Sequence, residues 1–401
     1  MRVGRLAVAS VLILTTVGIA VSALQARATP SSARLVVKPA TALIDQPVDI
    51  RLTGLRPRQR VALVASGHDR LGTAFRSRLA FVADRTGVVD TRSNMKLFWS
   101  MLPVRKSAAP SSFALSRGSA VVMIQAQAAG KTIASGRLSR RGEAVGLTSA
   151  DATLANDGFV GSYYALSTAQ PQPAVLQLGG SLGGHAELPA ALLASHGYPS
   201  LSLAYFKEPG LPPTLESIPL EYFAKALRWL GSQPGVDPKR VVVLGVSRGA
   251  EAALLLGATY PDLVHGVVAC TTDSQVLAGF GGAPAWTLGG DPIPLGPIPV
   301  ERVAGPVLVT GGGKDEVIDS AQGVRDITAR ARTHGGGDVT GAIYPNAGHG
   351  IGCIIPNVPL TTEIQIGPSV SAESGGTPAA NEQAAAASWP LVLRLLGSLG
   401  P

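Results

Sequence analysis

The apolar positions of the chain change period near its middle. Between residues 33 and 144 they fall in short alternating runs broken by turn residues: Ala33-Arg34-Leu35-Val36-Val37, Val48-Asp49-Ile50-Arg51-Leu52, Val61-Ala62-Leu63-Val64 and Ala120-Val121-Val122-Met123-Ile124. A period of two sends successive side chains to opposite faces of a strand, and repeated short runs of this kind predict a β-sandwich over residues 33–145. No candidate catalytic constellation falls within it.

From about residue 151 onward, all-apolar strand runs alternate with helical patterns. Strands are predicted at 174–178, 201–206, 241–246, 307–310 and 341–344, and helices at 188–196, 216–230, 250–258, 320–332 and 379–396. Strand-then-helix alternation predicts an α/β domain over residues 151–401, with a parallel sheet covered by helices on both faces. The stretch 357–377, rich in Pro, Gly, Ser and Thr, reads as a loop.

Composition adds bounds to this picture. With 401 residues, 46% of them hydrophobic and 15% charged, the chain has enough apolar material for two folded units and does not read as disordered. The net charge of +8 comes from scattered Arg, with no run of five or more basic residues, so a nucleic-acid-binding role is not expected. Attraction of an anionic substrate or membrane surface is physically allowed. Met1-Arg2-Val3-Gly4-Arg5, the apolar run 6–24 and Ala26-Arg27-Ala28 have the layout of a secretory leader over residues 1–28. The apolar run is also long enough to serve as an uncleaved anchor. Either way the expected location is exported or membrane-anchored on the extracytoplasmic side, or cytoplasmic were the leader not functional. Cys270 and Cys353 are the only cysteines, which excludes a disulfide framework and a Cys-based zinc site. One bridge in an exported protein and two unpaired thiols both remain open.

The candidate chemistry begins at Gly245-Val246-Ser247-Arg248-Gly249, directly after an apolar strand and before an Ala- and Leu-rich helix. This is a G-x-S-x-G nucleophile elbow in the context it requires, with Ser247 at the tip of the turn. A Ser hydroxyl needs a base to take its proton, and that base needs a carboxylate to orient it. Asp315, in the loop after strand 307–310, and His349, in the loop after strand 341–344, supply these in the order Ser, Asp, His. Glu316 and Asp319 lie close by, and Asp315 is the choice for the acid. The Arg248 N–H at the helix start and the Ser181 N–H in the Gly-rich loop 179–184 are the expected oxyanion donors. His185 and His196 read as structural. His68, His265 and His334 have no acid or Cys partner at ligand spacing, so neither a metal nor a cofactor is expected.

On these residues the chain resembles the acyl-CoA thioesterase / bile acid-CoA:amino acid N-acyltransferase family. The resemblance rests first on Ile44-Asp45-Gln46-Pro47-Val48-Asp49-Ile50-Arg51-Leu52-Thr53-Gly54-Leu55 and Leu97-Phe98-Trp99-Ser100-Met101. It continues through the loop 179–184, Leu203-Ala204-Tyr205-Phe206, Ile218-Pro219-Leu220-Glu221-Tyr222-Phe223, the segment 245–251 and Tyr344-Pro345-Asn346-Ala347-Gly348-His349. It implies an immunoglobulin-like domain ahead of an α/β-hydrolase domain, acting on fatty-acyl-CoA thioesters. Ser247 stands where the family's transferases carry Cys, which favours hydrolysis by water. An exported carboxylic ester or lipid hydrolase, or an acyltransferase, using the same three residues is the alternative.

Overall fold

The computed structural model describes residues 33–105, 117–351, 355–360, 362–367 and 370–400. The leader at 1–28, the apolar run 6–24 and Cys353 lie outside the described residues.

The N-terminal unit is built from two sheets. One has three strands, Arg34–Lys38, Asp49–Thr53 and Val89–Asp90. The other has six, in the order Thr41–Leu43, Lys131–Arg141, Ser119–Ala128, Arg60–His68, Ala74–Val82 and Leu102–Pro103. Alternation in the sequence becomes alternation in burial: along Asp49–Thr53, Ile50 and Leu52 are buried while Asp49 and Arg51 are exposed. Ile50 and Leu52 share a core with Leu63, Ile124 and Leu138 of the larger sheet. Each such side chain contributes roughly 1.5–3 kcal/mol by leaving water.

The C-terminal unit centres on an eight-stranded sheet. Its strands are β1 (Thr148–Ala152), β2 (Val160–Ala165), β3 (Gln172–Leu178), β4 (Ser200–Ala204), β5 (Val236–Val246), β6 (Gly266–Cys270), β7 (Val307–Gly312) and β8 (Val339–Tyr344). They lie side by side in the order β1-β2-β4-β3-β5-β6-β7-β8. The sheet is mixed, not purely parallel, because β2 runs antiparallel to both β1 and β4 while the remaining pairs are parallel. Polar residues such as Thr148, Ser149 and Asp151 hide β1 from a search for apolar runs, and a hairpin connection suffices for an antiparallel pair.

Five helices cover the sheet: α1 (Glu187–Ser195), α2 (Leu220–Gly231), α3 (Arg248–Thr259), α4 (Ser320–Thr333) and α5 (Pro378–Ser398). The strands serve both faces by parity. Val241, Val243, Val267, Val307 and Val309 pack with Phe223 of α2, Leu254 of α3 and Ile327 of α4. Val242, Leu244, Val268 and Leu308 point the other way, against Leu192 and Leu193 of α1 and Trp389, Val392 and Leu396 of α5. Continuous apolar strands are the sequence signature of such a two-sided layer.

Two further expectations are corrected. The helix expected from residue 216 begins at Leu220, because Pro219 biases Ile218 toward extended backbone and Ile218–Pro219 pairs with Trp286–Leu288 instead. The stretch 357–377 is not all loop, since it contains a hairpin of Glu363–Gly367 and Val370–Glu373. Its high content of turn-forming residues masks these short strands. Among the described residues no helix is long and apolar enough to cross a membrane.

The units meet through Asp45. Its Oδ2 lies 2.6 Å from Nε2 of His196, the residue that ends α1, and accepts the Trp389 indole N–H of α5 at 2.8 Å. At the C-terminal end of β6, Cys270 is disulfide-bonded.

Candidate active site

β5 ends in a turn that only its glycines permit. A Cβ on Gly245 would lie 2.0 Å from the Gly249 carbonyl oxygen, and one on Gly249 would lie 2.2 Å from the Gly179 carbonyl oxygen. Between them Ser247 adopts φ 56° and ψ −122°, a left-handed conformation that costs a non-glycine residue roughly 1–3 kcal/mol. Surrounding hydrogen bonds hold it there. Its N–H donates to Cys270 O on β6 at 2.8 Å, and its carbonyl accepts from the Ala250 and Glu251 N–H groups as α3 begins.

Two loops at the same edge of the sheet bring the other two residues to it. His349 Nε2 lies 3.1 Å from Ser247 Oγ, and His349 Nδ1 lies 2.8 Å from Asp315 Oδ2. The Asp315 side chain is fully buried and His349 is 7% exposed. Asp315 Oδ1 accepts the Val317 and Ile318 N–H groups at 2.9 and 3.1 Å, while Oδ2 also accepts the Ser320 hydroxyl at 2.6 Å. An ionised carboxylate only accepts hydrogen bonds, so it draws the imidazole proton to Nδ1 and leaves the Nε2 lone pair facing the serine hydroxyl. The arrangement can move a proton from Ser247 to His349 while Asp315 steadies the imidazolium. Glu316 and Asp319 are not part of it. Asp319 caps α4 by accepting the Gln322 N–H at 2.9 Å.

Of the two expected oxyanion donors, Arg248 stands at the first position of α3, next to Ser247. In the loop 179–184, a Cβ on Gly180 would be 3.2 Å from Ser247 Cβ, and Ser181 follows Gly180. The loop is tied by Gly183 N–H to Gly180 O, Gly184 N–H to Phe206 O and the Tyr205 hydroxyl to Gly179 O.

Three further contributions carry no motif. Ser320 bridges the Gly312 N–H and Asp315, and only the folded loop reveals it. The Arg248 guanidinium pairs with Glu251 at 3.2 Å and donates to Leu277 O, while Glu251 accepts from Trp286 Nε1 at 2.6 Å and Leu277 N at 3.0 Å. Burial pushes the Glu251 carboxyl up, opposed chiefly by Arg248. The pair thus pins the segment after β6 beside the serine. Buried Asn381, at the start of α5, contacts the His349 loop.

The remaining histidines lie elsewhere. His185 sits beside Ser162, Glu187 and Glu208. Among the described residues no group of three or more His, Cys, Asp or Glu side chains could hold a metal ion.

The mixed sheet, its strand order and the sharp strand-to-helix turn define an α/β-hydrolase-like fold. Residues 45–151 match the family described as "Acyl-CoA thioester hydrolase/BAAT N-terminal region", and residues 218–278 and 293–398 match "BAAT / Acyl-CoA thioester hydrolase C terminal". The chain belongs to this acyl-CoA thioester hydrolase and bile acid-CoA:amino acid N-acyltransferase family. Mouse (Mus musculus) acyl-coenzyme A amino acid N-acyltransferase 1 is 29% identical over 79% of this chain and 86% of its own length. Acyl-coenzyme A thioesterase 6 of Mus musculus is 28% identical over 89% of this chain and 94% of its own. Among solved structures, an alpha/beta hydrolase enzyme from a Medee basin deep-sea metagenome library is 17% identical with a TM-score of 0.45, covering 63% of this chain and 98% of that one.

Proposed function

We propose that this protein hydrolyses acyl thioesters of the fatty-acyl-CoA type to free acid and thiol, with Ser247 as nucleophile, His349 as general base and acid, and Asp315 as its orienting carboxylate. The observation that carries the reading is the continuous path from Ser247 Oγ to His349 Nε2 at 3.1 Å and from His349 Nδ1 to Asp315 Oδ2 at 2.8 Å. Family membership supplies the substrate class. The N-terminal two-sheet unit is read as the immunoglobulin-like half of that family.

Ser247 Oγ attacks the thioester carbonyl carbon as His349 Nε2 takes its proton. The oxyanion forms against the backbone N–H groups of Arg248 and Ser181, with the N-terminus of α3 adding its positive end. Collapse breaks the carbon–sulfur bond, and His349 returns the proton to the departing thiolate. Water then attacks the acyl-serine, giving its proton to His349, and the second collapse returns that proton to Ser247 Oγ and frees the acid. No cofactor takes part.

A serine ester is a stable enough intermediate to wait for water, and the family resemblance links Ser, where the transferases carry Cys, with hydrolysis over transfer to an amine. A second reading keeps the residues but replaces the substrate with an ester or lipid outside the cytoplasm. It is favoured by the disulfide-bonded state of Cys270, since disulfides persist in oxidising compartments, and by the apolar run at 6–24. Export or membrane anchoring is part of that proposal. Initial rates on a length series of acyl-CoAs and on matched alkyl esters separate the two. A preference of more than about tenfold in kcat/KM for esters, about 1.4 kcal/mol of transition-state discrimination, rejects the thioesterase reading.

A further inference from the structure

We infer that Asn381 is a positioning residue for this reaction, holding the loop that presents His349 against the turn that faces Asp315; this rests on the assignment of Ser247, Asp315 and His349 above. Asn381 is fully buried in the first turns of α5. Its Oδ1 accepts the N–H of Gly348, the residue before His349, at 2.8 Å. Its Nδ2 donates to Gly375 O at 3.3 Å. Gly375 forms an antiparallel bridge with Asp315, and Ser374 O accepts the His349 N–H at 2.6 Å. One carboxamide therefore joins the backbone beside the base to the backbone beside the acid.

The space around it leaves no slack. A Cβ on Gly376 would stand 2.5 Å from both Asn381 Oδ1 and Gly348 N, and one on Gly348 would stand 2.2 Å from Ser374 O. The helix that carries Asn381 is itself anchored. Thr377 caps it by accepting the Ala380 N–H, and Trp389, Val392 and Leu396 bury its far turns against the sheet. A rigid helix start thus fixes a loop that has little regular structure of its own. Asn381 touches no reacting atom, so its effect passes through the placement of the imidazole. Displacing a reacting group by about 1 Å can cost on the order of 10²-fold in rate.

The test compares Asn381→Leu, which keeps the branched side-chain shape, though bulkier, without either hydrogen bond, with Asn381→Asp, which keeps an acceptor for the Gly348 N–H. Both are assayed on the substrate that the wild-type protein turns over, below their melting temperatures and at the plateau of their pH profiles. Asn381→Leu is expected to lower kcat by roughly 30-fold or more with KM changed less than about threefold, and Asn381→Asp to recover to within about fivefold of wild type. A purely structural role would lower the melting temperature of Asn381→Leu and leave its kcat within about threefold of wild type, and that result overturns the inference. Should the Leu variant not fold, Asn381→Ser is judged by the same two parameters. Labelling of Ser247 by a fluorophosphonate separates the two levels of failure. An unlabelled wild-type protein rejects the underlying assignment, whereas a labelled wild type with a fully active Asn381→Leu rejects only the role of Asn381.

Discussion

Ser320 donates its hydroxyl to Asp315 Oδ2 at 2.6 Å, the same oxygen that faces His349 Nδ1 at 2.8 Å. The serine lies five positions after the acid and also accepts the Gly312 N–H, so it locks the carboxylate to the end of β7. The imidazole therefore meets an oxygen whose direction is already set.

Removing that lock should be felt in turnover. Ser320→Ala is expected to lower kcat by about 10- to 150-fold, the equivalent of one hydrogen bond to a charged group, with little change in KM. Asp315→Asn should cost far more, roughly 10³–10⁴-fold, because an amide can donate and so favours the wrong imidazole tautomer. Steady-state kinetics on both variants check this ordering. A Ser320→Ala defect as large as that of Asp315→Asn would contradict it.

The Arg248 and Glu251 side chains should be coupled in stability. Arg248→Met leaves the buried Glu251 carboxylate without its cation and is expected to destabilise the fold by about 3–5 kcal/mol. Glu251→Gln keeps an acceptor for Trp286 Nε1 and should cost less. The double variant should be more stable than the sum of the single changes implies, by about 1–3 kcal/mol. Urea unfolding of the four proteins measures the coupling, and strict additivity would show that the pair is not an energetic unit.

Glu382 should give the fold a pH dependence. Burial pushes its carboxyl up to about 8 from an ordinary 4.5, opposed by the Asn357 N–H and by Arg140. Between those values the folded protein binds a proton that the unfolded chain has released. The resulting stabilisation is complete below about pH 4.5, falls as pH rises through about 8 and is then gone. The stability of wild type relative to Glu382→Gln should thus decline across that window. Unfolding midpoints for both proteins at several pH values test this, and a constant difference would exclude a proton on Glu382.

The layered α/β architecture and the neighbourhood of the site are legible in the sequence for a physical reason. Apolar runs such as 241–246 and 307–310 are buried on both faces and announce themselves. A turn as tight as 245–249 admits few residue types, so the position of Ser247 is legible too. Asp315 and His349 are picked out by lying just past strands at the same sheet edge, where the fold also brings them together, and their chemical roles are the proposal above. What escapes notice is what tertiary structure alone defines. Ser320, Glu251 and Asn381 are ordinary polar residues until the loops fold against them, and β1 is too polar to stand out. Asp45 joins the units through His196 and Trp389, partners 151 and 344 positions away, which no local pattern records.

The most direct measurement is the release of free thiol from an acyl-CoA length series by wild-type protein and by Ser247→Ala, each shown to be folded by its unfolding transition. The triad assignment predicts rapid thiol release by wild type and a loss in kcat on the order of 10⁴-fold or more in the variant, with an unchanged fold. A folded Ser247→Ala protein that keeps more than a few per cent, or roughly 1/30, of wild-type turnover would contradict it.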